Sequence, residues 1–148
     1  MTDLTLADVQ SLLDAPSPAV LTTTRVDGSA VTTPVWYRWT GNAFEIVIAR
    51  GDPKLRHLTR DPGCSLLVFE VISPFRGVEI RGEATLEEGD MTEARRSIAG
   101  RYLGMEDGER FAAARVAKPG VLLRLAPGEA RVWSLEDILP PGQRADAT

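Results

Sequence analysis

The chain has 148 residues, of which 43% are hydrophobic and 26% are charged, and its formal net charge is -4. This composition predicts one soluble globular domain with a substantial core. It argues against nucleic acid as a partner, because nonspecific binding to a polyanion favours a positive protein. No apolar stretch approaches the ~18 residues of a membrane span, and the N-terminus lacks a signal-peptide pattern.

The chain contains one histidine, His57, and one cysteine, Cys64. A single cysteine forms no internal disulfide, so we expect a cytoplasmic protein. A zinc site of the usual His/Cys type cannot be assembled within one chain, and we expect no metal. The sequence also lacks a Walker glycine loop and a Rossmann fingerprint. If the protein is an enzyme, a bound cofactor is expected to supply the chemistry.

Hydrophobic periodicity and turn signals predict seven strands and four helices. The first helix covers residues 5–14 and begins with Thr5 and Asp8 in a capping-box arrangement. The later helices are predicted at 53–60, 90–103 and 106–116. The strands are predicted at 19–24, 30–39, 44–49, 64–71, 77–86, 120–126 and 129–133.

The turns and prolines predict how the strands are arranged. The Asp27-Gly28 and Gly41-Asn42 turns indicate that the first three strands form an antiparallel meander. Pro34 cannot donate to a strand ladder, so it marks an edge or a bulge. The run at 64–71 is almost wholly apolar and indicates a central strand. Gly82 in mid-strand predicts a bend, as at a barrel corner.

These elements predict a mainly β protein, a small antiparallel β-barrel of six or seven strands with a few helices. The absence of alternating βαβ units argues against a Rossmann-type sheet. We assign residues 1–139 to this one domain. Residues 140–148 begin with Pro-Pro-Gly and are predicted to form a flexible tail.

The most informative segment of the chain is basic. Five residues share eleven positions of this acidic chain: Arg50, Lys54, Arg56, His57 and Arg60. The segment follows a predicted strand and opens a helix, with Asp52 as its cap and Pro53 at its first position. A helix N-terminus lined with cations predicts a site for phosphate or carboxylate. The alternative is a solvated basic helix.

Over residues 5–135 the chain resembles the FMN-binding split-barrel superfamily of pyridoxamine 5'-phosphate oxidase-like proteins. The resemblance depends on a combination of segments: Leu-Thr-Thr at 21–23, Asp-Gly at 27–28, Thr-Pro-Val-Trp at 33–36, Lys-Leu-Arg-His-Leu at 54–58 and Arg-Asp-Pro at 60–62. Within the superfamily, the chain is most similar to the actinobacterial branch that uses the deazaflavin coenzyme F420.

The resemblance implies a Greek-key split barrel and a homodimer with two cofactor sites at the subunit interface. It implies hydride transfer between the deazaflavin and a small or medium-sized conjugated substrate, such as a quinone, a tetrapyrrole or an unsaturated lactone. Lys54 and Arg56 would hold the phosphate and glutamyl tail of the cofactor, and His57 would donate a hydrogen bond to the same anions. Arg50 is placed in the phosphate shell. No catalytic side chain is assigned.

Two further groups of cofactor-binding residues are implied by the resemblance. The cofactor ring would be lined by one strand with Pro34, Val35 and Trp36 and by a facing strand with Ile48 and Ala49. In the dimer, Phe75, Arg76 and Trp133 would cover the cofactor site.

The segment Asp52-Pro53 departs from the family pattern, because relatives often have further basic residues there. This departure leaves FMN open as the cofactor. We therefore consider three hypotheses: an F420-dependent oxidoreductase, an FMN-dependent oxidase or reductase, and a non-catalytic protein that binds flavin, deazaflavin or haem. Haem is the least favoured ligand, because His57 is the only available histidine.

Overall fold

Two antiparallel sheets enclose the core in the computed structural model, which describes residues 3–144. The strands are β1 (Ala19–Thr24), β2 (Ala30–Val35), β3 (Arg38–Trp39), β4 (Phe44–Ala49), β5 (Gly63–Phe69), β6 (Gly77–Glu83), β7 (Thr85–Glu88), β8 (Gly120–Leu125) and β9 (Glu129–Trp133). The five-stranded sheet has the order β2-β1-β5-β6-β9, and the four-stranded sheet has the order β3-β4-β8-β7. The predicted mainly β, antiparallel split barrel is confirmed.

Four α-helices flank the sheets: α1 (Gln10–Asp14), α2 (Pro53–Arg60), α3 (Thr92–Leu103) and α4 (Met105–Ala113). A 3-10 turn at Leu6–Val9 precedes α1, and two others occupy Glu136–Ile138 and Pro141–Gln143. No helix within residues 3–144 is long and apolar enough to cross a membrane. Residues 1–2 of the predicted domain and 145–148 of the predicted tail lie outside the described residues. The flexibility of the tail stays a prediction.

Two predicted strands are each broken in the structure, and this corrects the predicted meander. The run 30–39 divides into β2, at the edge of the five-stranded sheet, and β3, which pairs with β4 in the other sheet. The run 77–86 divides in the same way at Ala84. Strands that pass from one sheet to the other make the corners of such folds. The edge position of Pro34 and the central position of β5 are confirmed.

The barrel core is formed by alternate residues of both sheets, which point inward. Leu21, Leu66 and Ile80 of one sheet and Ile46 and Leu123 of the other are no more than 2% exposed. Each such side chain contributes about 1.5–3 kcal/mol on burial. This burial fixes the register, because a shift by one residue would turn the apolar set outward.

Tyr37 occupies the junction where the chain leaves the first sheet, and its side chain is fully buried. Its hydroxyl donates to the carbonyl of Leu13 at 3.0 Å. The Arg101 guanidinium donates to the carbonyl of Ala15 at 2.6 Å and also to that of Tyr37. The last carbonyls of a helix lack partners within it. The two side chains therefore tie the end of α1 to the junction and to α3.

Glu45 on β4 is a buried carboxylate, 3% exposed, between two arginines. It accepts hydrogen bonds from Arg38 at 2.8 Å and from Arg124 at 2.6 Å. Burial alone would raise the pKa of this carboxyl, but the hydrogen bonds from Arg124 and Arg38 outweigh it and hold the pKa below its ordinary 4.5. Arg124 also donates to Glu87, which is half-exposed.

We expect Glu45→Gln to lower the free energy of unfolding by about 1–3 kcal/mol, because the arginines lose a charged acceptor. The loss should be largest above pH 4.5 and should shrink at lower pH, where the wild-type carboxylate is itself protonated. Urea unfolding at several pH values measures this difference. The matched control Glu87→Gln removes an exposed partner of the same arginine and should cost no more than about 0.5 kcal/mol. Equal effects of the two changes would contradict the assignment.

Candidate functional site

A cavity of about 280 Å³ lies beside the sheet junction, and we call it the junction cavity. Its apolar wall comes from the end of β2, from β4 and from the helices α3 and α4. It brings together five of the predicted site residues: Pro34, Val35, Trp36, Ala49 and Lys54. The structure does not bring the Ile48 side chain there. Ile48 points into the core, as alternation along a strand requires, and Val47 lines the cavity instead.

Aromatic contacts hold Trp36 at this cavity. Its ring stacks on Tyr102 with centroids 5.2 Å apart and an interplanar angle of 11°, and it meets Phe111 at 5.5 Å. The Tyr102 hydroxyl is itself fixed, because it donates to the carbonyl of Ser17 at 2.9 Å. Such pairs add about 0.5–1.5 kcal/mol beyond area burial. The position of Trp36 thus depends on α3 and α4.

Helices α3 and α4 touch at two glycines. A Cβ atom on Gly108 would lie 2.6 Å from the Cα of Gly100, closer than any real contact. The bare backbone of Gly108 therefore allows α4 to lie directly on α3. This close packing brings Phe111, and Arg115 just beyond the helix, to the wall of the junction cavity.

The first turn of α2 separates two pockets. Asp52 caps the helix by accepting the Lys54 backbone N–H at 2.9 Å, and its carboxylate also meets the Lys54 ammonium at 2.7 Å. Lys54 lines the junction cavity. Arg56 is two residues on, about 200° around the helix. It lines a second pocket of about 580 Å³, which we call the basic groove.

Cations dominate the basic groove. Its charged or titratable lining residues are Arg25, Arg56, His57 and Arg60. The Nδ1 atom of His57 lies 3.0 Å from the Thr23 hydroxyl, and Arg60 donates to the carbonyl of Thr24. These contacts fix the two side chains against β1. Three of the four predicted anion-binding residues, Lys54, Arg56 and His57, thus fall into two adjoining pockets.

The groove and the cavity adjoin along β2 as well as along α2. Val31 lines the groove and Val35 lines the cavity. The two valines lie on the same face of the strand, about 13 Å apart. Pro53 lines the groove, while its neighbours Asp52 and Lys54 line the cavity. A ligand about 13 Å long could therefore reach both pockets.

Four other predicted site residues lie away from both pockets. Arg50 pairs with Glu88 on the surface. Arg76 is held by Glu70 at 2.7 Å, and Phe75 precedes it in the same loop. Trp133, on β9, packs against Gly77, where a Cβ atom would lie 2.2 Å from its ring. Four strand spacings, about 19 Å along the sheet, separate β9 from β2, so Trp133 lies far from the junction cavity of its own chain.

Three further cations line the junction cavity and were not predicted from the sequence: Arg95, Arg115 and Lys118. Arg95 is 7% exposed, and burial together with the nearby Arg115 lowers its pKa. The signal was an arginine within the apolar face of α3, at helical spacing from Met91, Ile98 and Ala99.

The donor set fits a flavin-type cofactor. Such a group needs an apolar slot for a planar ring and cations for its anionic chain, and the two pockets provide both. Among residues 3–144, no group of three or more His, Cys, Asp or Glu side chains could hold a metal ion.

Comparison with known proteins supports this fit. The family model described as pyridoxamine 5'-phosphate oxidase matches residues 6–134. None of the curated protein sequences matches the chain.

Among solved structures, the conserved hypothetical protein Rv2991 from Mycobacterium tuberculosis is similar, with a TM-score of 0.80 and 21% identity over 97% of this chain and 94% of that one. An F420 reductase has a TM-score of 0.62 and 23% identity over 82% and 94% of the two chains. The heme storage protein HutZ from Vibrio cholerae has a TM-score of 0.64 and 14% identity over 86% and 92%. At such identities the likeness shows the fold.

The surroundings of Cys64 disfavour its reactive thiolate form. Burial raises the pKa of its thiol from 9.0 to about 11, so the reactive thiolate is scarce near neutral pH. We expect Ellman's reagent at pH 8 to modify the folded protein at least ~10-fold more slowly than the urea-unfolded protein. Free glutathione measured with and without urea provides the control. Equal rates for the folded and unfolded chains would contradict this assignment.

Proposed function

The chain belongs to the pyridoxamine 5'-phosphate oxidase family, and from that premise we propose that it is an F420-dependent oxidoreductase. The observation that supports this most is the pairing of an apolar, aromatic cavity with an adjoining basic groove across the first turn of α2. A cofactor with a planar ring and a long anionic chain matches that pairing. The similarity in fold to an F420 reductase points the same way.

The number of cations favours F420 over FMN. A phosphate monoester has a charge of about -1.5 to -2 at neutral pH, which two basic residues would balance. The groove has three arginines, Arg25, Arg56 and Arg60, and Lys54 lies just across α2. The cations beyond those two would balance the additional carboxylates of a glutamyl tail. Asp52 favours the second candidate, FMN, because it pairs with Lys54 and removes one cation.

In this proposal, the chain's own residues bind and orient, and the deazaflavin supplies the hydride chemistry. Arg56 and Arg60 hold the anionic chain by charge-assisted hydrogen bonds, each contributing about 1.5–3 kcal/mol. Trp36, Val35 and Ala49 line the cavity that would take the ring. His57, fixed by Thr23, adds a polar contact to the groove.

We expect fluorescence titration of the purified protein to give micromolar or tighter binding of F420 and at least ~10-fold weaker binding of FMN. Lys54→Ala and Arg56→Ala should each weaken F420 binding about tenfold. The control Arg110→Ala removes an exposed arginine of α4 that has its own acidic partners, and it should leave the affinity for F420 unchanged. A preference for FMN would move the protein to the second candidate. Binding of neither cofactor would overturn the proposal.

The outer face of the five-stranded sheet supports a homodimer. Its register places Val20 beside Pro34 and Leu67, all at least partly exposed, while Leu21 and Leu66 face the core. Phe69 and Trp133 continue this apolar stripe toward β9. A two-fold axis across the stripe would bring β9 of one subunit near β2 of the other. In that dimer, Phe75, Arg76 and Trp133 would reach the partner's junction cavity.

We expect the protein to sediment as a dimer at micromolar concentration. Leu67→Glu should give a folded monomer, because it places a charge in the apolar stripe without touching the core. Met105→Glu, which adds the same charge at an 87% exposed position, should remain dimeric. Circular dichroism checks the fold of both variants. A wild-type monomer, or a dimeric Leu67→Glu variant, would remove this interface.

A further inference from the structure

One end of the junction cavity has positive charge without a counter-charge. Lys54 pairs with Asp52, but Arg95, Arg115 and Lys118 have no such partner. Within residues 3–144, no carboxylate oxygen lies within the 4.0 Å limit of an ion pair from any of these three side chains. Buried charges in folded proteins are normally paired. Of the three, only Arg95 is buried, and the Asp90 carboxylate acts on it from beyond that limit, so a bound carboxylate would give the Arg95 side chain the direct anionic partner that it lacks.

The position of Arg95 is built into the fold. Its Nη1 atom donates to the carbonyls of Arg115 and Lys118 at 3.0 and 2.8 Å. Its Nη2 atom passes over Gly120, where a Cβ atom would lie only 2.7 Å away. The guanidinium is therefore oriented before any ligand arrives. Neither Nη2 nor Nε has an acceptor among the described residues, and Arg95 lines the junction cavity.

The surroundings of the Arg95 and Arg115 guanidinium groups are apolar. Arg115 lies with its guanidinium carbon 3.6 Å from the centre of the Phe111 ring. Ile98 and Ala99 of α3 complete the wall. A small inorganic anion would meet the cations but would leave this apolar wall without a partner. An apolar molecule with one carboxylate would keep its hydrophobic contact and also meet the planar donor fork of an arginine.

We propose that Arg95, Arg115 and Lys118 form a subsite for the carboxylate of an apolar, conjugated substrate. This inference uses the proposed function only to place the rest of that substrate beside the cofactor ring. The same chemistry could come from a carboxylate of the cofactor's tail, and the experiment separates the two sources.

The probe is 2-naphthoate, and 2-naphthamide, which has the same ring without the charge, serves as its matched control. Quenching of tryptophan fluorescence in the cofactor-free protein reports binding, since Trp36 lines the cavity. We expect 2-naphthoate to bind at least ~10-fold tighter than 2-naphthamide. Equal affinities, or no binding of 2-naphthoate, would overturn the subsite.

Arg95→Met keeps the length of the side chain but removes its charge. The variant should bind 2-naphthoate about tenfold more weakly than the wild type does, and its affinity for 2-naphthamide should be unchanged. Arg96→Met makes the same change at the next position, where the side chain is exposed, and should have no effect. Arg115→Met, at a less buried position, is the second variant if Arg95→Met fails to fold. Arg56→Met places the charge loss in the basic groove. If the affinity for 2-naphthoate falls in Arg56→Met but not in Arg95→Met or Arg115→Met, the proposal is overturned.

Titration of Arg95→Met with F420 identifies the source of the carboxylate. Unchanged F420 affinity with weakened 2-naphthoate binding indicates a substrate subsite. A parallel loss of both assigns the subsite to the cofactor tail and overturns the substrate assignment. A wild-type protein that binds 2-naphthoate through Arg95 but binds neither F420 nor FMN leaves the carboxylate site standing and removes only the proposed function.

Discussion

The attachment of Tyr37 to the end of α1 is the constraint on which the rest of the site depends. The chain changes sheets here, and the hydroxyl of Tyr37 and the guanidinium of Arg101 satisfy carbonyls that the short helix leaves open. Because the junction is fixed, the preceding residue, Trp36, is held at the cavity. Because Arg101 and Tyr102 belong to α3, the same contacts place the helix that provides Arg95. A single buried aromatic side chain thus connects the barrel to the junction cavity.

Helix α2 organises the other half of the site by separating its cations. Lys54 and Arg56 look like one basic motif in the sequence, but helical geometry directs them into two pockets. Asp52 has two roles, as helix cap and as partner of Lys54. Apart from Lys54, the cations of the site therefore lie at two separate places, in the basic groove and beside α3 in the junction cavity.

Local signals predicted the elements well. The cap at Asp52 and the proline after it defined α2, and the apolar runs at 19–24 and 44–49 gave strands with the observed bounds. The sheet crossing at Ala84 was predicted only as a bend at Gly82, and the crossing at Trp36 was missed, because a change of pairing partner leaves no trace in the alternation of one strand. The contribution of α3 was also missed. Arg95 lies about forty positions from Lys54, and only the packing of α3 on β4 brings it to the same cavity.

The glycine contact between α3 and α4 has a consequence for how this protein can change over evolutionary time. Gly108 lines no part of the junction cavity, yet its missing side chain sets how closely α4 approaches α3. An alanine there would push α4 outward, with Phe111 and Arg115, and so widen the pocket without altering any residue that touches a ligand. Related proteins could thus acquire a larger junction cavity through a change at a helix contact, while the barrel and its cations remained the same.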